Sequence, residues 1–213
     1  MLMLRQRLYK ALLIPVLLST SLAFAQFENP IQVRDTSILK PPPGAKIALI
    51  EFMDLECPVC GHDNPIIMDA VAKYHVPWIH YSFPQPQHNW SFQAAVYAHW
   101  FAARSMPLAD QYRNYIYANQ PQIETKEDLR NWTQKFAKMH GMALPFVVDP
   151  QGKFTAQVKA DQALGNRMGV HYTPTLWIVT NDYSHGKNYV QVTNFNNLFT
   201  MLDQAEARVG NRK

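Results

Sequence analysis

The chain of 213 residues holds two cysteines, Cys57 and Cys60, with Pro58 and Val59 between them. Thiols at this spacing can crosslink, bind metal, carry haem or exchange disulfides. A structural crosslink is the poorest use, because closing so short a loop removes little unfolded-state entropy. Covalent haem attachment needs His directly after the second Cys, whereas Gly61 stands before His62. A structural zinc site needs four Cys or His ligands, and His62 is the one nearby addition. A Cu(I) site using both thiols and a distant His stays open, since soft thiolates select Cu(I); the nine methionines, however, are scattered as packing residues are. Disulfide exchange accounts for the pair best. At the mouth of a helix Cys57 would be held as thiolate and attack, and Cys60, one turn inside, would resolve the mixed disulfide. No small-molecule cofactor and no metal is implied, because the cysteines themselves carry the two electrons.

Such chemistry requires a strand that stops and a helix that starts at Cys57. Lys46 to Met53 (KIALIEFM) has the length of a buried strand, and Ile66, Ile67, Ala70, Val71 and Tyr74 recur at helical spacing between Pro58 and His75. Pro65 should kink or interrupt that helix. Val76 to Phe83 reads as a second strand, closed by Pro84 and Pro86. From about 89 to 144 the periodicity is helical, with Phe92, Ala95, Val96, His99, Trp100 and Ala103 on one face, which predicts a helical insertion. Phe154 to Met168 reads as helix, Thr175 to Val179 (TLWIV) and Asn188 to Val192 as strands, and Asn196 to Val209 as a closing helix. His88 reads as a helix-start or surface residue and His99 as a core histidine. Trp90, Phe92, Trp100, Phe101, Tyr112 and Tyr115 fit a packed helical face at least as well as a peptide-binding surface.

Arg5, Arg7 and Lys10 precede an apolar run from Ala11 to Phe24 that ends in Ala23-Phe24-Ala25. This is the pattern of a signal peptide over 1–25, cleaved after Ala25, and it places the protein in the periplasm or otherwise outside the cytoplasm. Losing those three cations and no acid lowers the net charge from +4 to +1. With no basic stripe left, nucleic acid is not expected as a partner. Residues 26–44, ending in Pro41-Pro42-Pro43-Gly44, read as an extended lead-in, and 45–213 as the folded domain.

The run Glu51-Phe52-Met53-Asp54-Leu55-Glu56-Cys57-Pro58-Val59-Cys60 resembles the active-site segment of the thioredoxin superfamily, and its Cys-Pro-X-Cys form resembles the exported DsbA-like branch. The resemblance implies a thioredoxin-like α/β fold with an inserted helical domain. It makes Cys57 and Cys60 the redox-active disulfide and Glu51 the buried acid that handles the proton of the resolving thiol; burial would raise its pKa. Pro65 matches the helix-kinking proline. Thr173-Pro174 matches the cis-proline that faces the redox pair across the substrate groove, where Thr173 would pair with extended substrate and Pro58 and Val59 would share the contact. The implied activity is disulfide exchange with unfolded or partly folded exported proteins, as donor, with a membrane redox partner to restore the disulfide; a reductase or isomerase of the same fold is the alternative. The lead-in leaves no room for the dimerisation domain usual in such isomerases, so a monomer is expected. Val59 replaces the histidine of the strongest oxidants, and Glu56 would oppose a Cys57 thiolate where its charge lies near, so a milder oxidant is expected.

Overall fold

The computed structural model describes residues 30–184 and 186–210; the expected signal segment lies outside them. Strand β1 (Ile47–Met53) is buried along its whole length. It leads into α1 (Pro58–Tyr74), and β2 (Trp78–Ser82) returns parallel to β1. Helices α2 (Ser91–Ala102), α3 (Met106–Asn119) and α4 (Lys126–Met139) follow, then α5 (Lys153–Met168). The antiparallel strands β3 (Thr175–Thr180) and β4 (Tyr189–Val192) and helix α6 (Leu198–Gly210) complete the chain. The sheet order is β2-β1-β3-β4, with β1 and β3 antiparallel. Strand β2 is shorter than the sequence pattern, because Pro77 and Pro84 at its flanks have no N–H to give. Helix α1 runs through Pro65 without a break.

Alternation along β1 divides the core. Ile47 and Leu49 pack with Ile67 and Ala70 of α1 and with Leu198, Leu202 and Ala205 of α6. Ala48, Ile50 and Phe52 face the other way, onto Trp177, Phe83, Met168 and the lead-in residues Ile31 and Leu39. The lead-in is therefore part of the fold, tied to the sheet by the Ile31 N–H to Gln191 Oε1 bond at 2.7 Å. By the same alternation Glu51 lies on the α1 face. The third core belongs to the insertion: Trp90, Phe101, Tyr112, Ile116 and Phe136 cluster there, and Met53, Leu55, Cys57 and Cys60 join them. The redox loop thus sits at the seam between sheet and insertion.

Candidate redox site

Cys57 is the N-cap residue of α1 and Pro58 occupies the first turn, where a missing N–H costs nothing. Both cysteines are free thiols, Cys57 6% and Cys60 1% exposed. Their environments pull them apart. Cys57 is lowered to about 6, first by the hydrogen bond from the Cys60 thiol and then by the Cys60 and Val59 N–H groups of the first helical turn. The buried Thr173 hydroxyl, which has no other partner among the described residues, adds to this. In the thiol form Cys57 Sγ donates to the Thr173 carbonyl at 3.3 Å. Cys60 is pushed well above the ordinary thiol range, by burial first and then by Cys57. At neutral pH the thiolate is favoured at Cys57 and the thiol at Cys60.

Glu51 is 3% exposed, and burial raises its carboxyl to about 8 against the opposing hydrogen bond from Trp78 Nε1 at 3.0 Å. Its field acts on Cys60. The Thr173–Pro174 peptide bond is cis. Thr173 and Pro174 line an open groove of about 280 Å³ with Val59, Asp63, Tyr172 and Phe195. Val59 is 53% exposed there and Pro58 is exposed at its side. The structure therefore brings together the seven residues singled out in the sequence: Cys57, Cys60, Glu51, Pro58, Val59, Thr173 and Pro174.

Two sequence expectations are corrected. His88 is no plain surface or helix-start residue: its Nδ1 lies 2.7 Å from Oδ2 of Asp54, which is fully buried. Asp54 also accepts the Glu56 and Gln85 N–H groups, and its carbonyl accepts from Cys57 N. The Glu56 carboxylate is committed elsewhere, accepting the N–H groups of Asn89, Trp90 and Ser91 at the start of α2. It is therefore a cap for the insertion rather than an opponent of the thiolate. Gln120 was missed altogether: its Nε2 donates to the Leu55 and Cys57 carbonyls, holding the redox loop from 63 residues away. The adjacency of Asp54 to the Cys loop was a usable signal for that residue; for Gln120 there was none. Among the described residues no three His, Cys, Asp or Glu side chains gather as metal ligands do.

A family model described as thioredoxin matches residues 36–195. The chain belongs to the thioredoxin family. Solved structures place this member of the family with the DsbA-like folds. It is similar to Wolbachia pipientis α-DsbA1, at 19% identity over 80% of this chain and 89% of that one, with a TM-score of 0.62. Bacillus subtilis BdbD in its oxidised form aligns at 17% identity over 85% and 98%, TM-score 0.62. Pseudomonas aeruginosa DsbA2 aligns at 16% over 81% and 94%, TM-score 0.57. No curated protein sequence matches the chain significantly.

Proposed function

We propose that the protein is a thiol-disulfide oxidoreductase acting on exported proteins outside the cytoplasm, with the Cys57–Cys60 disulfide given to substrate thiols. The observation that carries this reading is the asymmetry of the two thiols. A substrate thiolate attacks Cys57 Sγ of the disulfide, and Cys60 leaves as thiolate and takes up a proton from Glu51. A second substrate thiolate then displaces Cys57, forming the substrate disulfide and leaving the protein with both electrons. A thiol as acidic as Cys57 is a good leaving group at neutral pH and stabilises the dithiol form, which favours donation. The groove at Thr173–Pro174, with the apolar Val59 on its rim, suits an extended peptide added along the Thr173 backbone. The N-terminal charge and hydropathy pattern supports export. A membrane-bound oxidant of the dithiol completes the cycle.

Equilibration of residues 26–213 against glutathione buffers tests the direction. A potential near −120 mV agrees with donation, and one near about −270 mV makes reduction the natural direction and ends the donor reading. Exchange itself is tested with Cys60→Ser whose Cys57 is first loaded as a mixed disulfide with glutathione: a thiolate of a reduced, unfolded substrate should displace glutathione and stay trapped on Cys57, while Cys57→Ser treated in the same way should trap none.

A further inference from the structure

One side of α3 is polar. Asp110, Arg113, Asn114 and Tyr117 recur at helical spacing on one side, while Ala109, Tyr112 and Ile116 fill the insertion core. The polar side meets the redox site: Asn64 of α1 donates to Asn114 at 3.0 Å, and Tyr117 donates to the Asp54 carbonyl at 3.5 Å. Between these contacts Arg113 is 5% exposed. A buried guanidinium needs compensating charge and acceptors. Asp110 supplies one contact, Nη1 to Oδ1 at 2.7 Å, yet its own side chain is 46% exposed, and Arg113 Nε has no acceptor among the described residues. His80, beside Glu51 in the sheet, lies 3.8 Å from the same Asp110 oxygen, and burial keeps its ring neutral. The groups acting on Glu51 are then Trp78 of β2, Cys57 at the N-cap of α1, Asp63 of α1, and Arg113 of α3, the one cation of the set. Glu51 in turn acts on Arg113.

We propose that Arg113 is a positioning residue for the proton step of exchange: it is the buried counter-charge, brought by the insertion, that keeps Glu51 able to take the Cys60 proton. Asp110 sets how much of that charge Glu51 feels. The inference rests on the exchange activity proposed above. In the reduced protein, Cys57 thiolate attacks glutathione disulfide, forming a Cys57–glutathione disulfide and releasing one glutathione thiolate. Cys60 then passes its proton to Glu51 and attacks Cys57 Sγ, expelling the second glutathione thiolate, and Glu51 returns the proton to solvent. Two electrons move from the dithiol to glutathione disulfide. Arg113 bears on the second step alone, because an opposite charge favours the ionised form of the acceptor.

The test follows both steps by mass spectrometry of acid-quenched samples across pH 5–9. Arg113→Met should leave formation of the mixed disulfide unchanged, slow ring closure about tenfold at pH 7 and raise its pH midpoint by about one unit. Arg113→Lys should recover most of the rate. Asp110→Asn, which leaves the Arg113 charge less compensated, should move the midpoint down. In a Glu51→Gln background, Arg113→Met should have no further effect. An unmoved midpoint, a shift of the same sign in Arg113→Met and Asp110→Asn, or an effect that persists without the Glu51 carboxylate would overturn the proposal. Where Arg113→Met does not fold, the downward shift in Asp110→Asn decides it, and its absence is a refutation. Wild-type protein that forms no mixed disulfide refutes the exchange activity itself, before Arg113 comes into question.

Discussion

Cys57 and Glu51 are perturbed in opposite senses, and a pH series reads each separately. Alkylation of the reduced protein by iodoacetamide should follow the Cys57 thiolate, half-maximal at about 6, with Cys60 unreactive; a midpoint near 9 would mean that α1 and Thr173 do not hold the charge. For Glu51 the folded-state value is about 8 against an ordinary 4.5. The folded state binds the proton more tightly, so stability is fullest below the ordinary value and is lost as pH rises toward 8. Glu51→Gln removes that loss and should stabilise the protein at pH 8 by on the order of 4 kcal/mol, with no gain near pH 4. Urea unfolding of the disulfide form checks this without interference from Cys57 titration; equal stability of both proteins across the range would show that Glu51 is not desolvated. Cys57, Cys60 and Glu51 were legible in the sequence because their relation is local, a strand running into a helix. Gln120 was not, because the carbonyls it serves belong to Leu55 and Cys57, far along the chain, and no spacing encodes those contacts; for Arg113 only the i,i+3 pairing with Asp110 is local.

Helix α2 shows the same limit at the next scale. Its periodic apolar face announced it, but Trp90 at the N-cap offers no side-chain cap. The free N–H groups are met instead by Glu56, with bonds of 2.9, 2.6 and 2.7 Å from Asn89, Trp90 and Ser91. A carboxylate there also faces the positive end of the helix. Glu56→Ala should cost about 1–2 kcal/mol in urea unfolding, the usual worth of a lost N-cap. Because the charge is engaged at α2, the Cys57 alkylation midpoint should not fall in this variant. A clear fall would restore the reading of Glu56 as an opponent of the thiolate. Boundaries shifted where proline removed a donor, as in β2, while element types followed periodicity throughout.

Across the whole molecule, the insertion and the sheet are joined on two sides of the redox loop. On one side α3 meets α1. On the other, α5 lies against α2 and β2, with the Asp161 carboxylate accepting the Ser82 N–H at 2.9 Å and facing His99 Nε2 at 3.4 Å. Gly165 of α5 packs closely on aromatic rings beside this second seam. A Cβ there would stand 2.6 Å from Phe83 Cε2 and 3.0 Å from Phe52 Cε1. Phe52 is itself held between Tyr81, stacked at 5.0 Å, and Trp177 at 6.1 Å, so the ring has no free side to move toward. Two effects compete in Gly165→Ala. Helix propensity would gain up to about 1 kcal/mol, and overpacking a close-packed core costs about 1–3 kcal/mol. With contacts this short on two rings, overpacking should win, leaving a net loss of about 1–2 kcal/mol in urea unfolding. If Gly165→Ala is instead stabilising, the aromatic cluster yields, and the seam that positions the redox loop is softer than its packing implies.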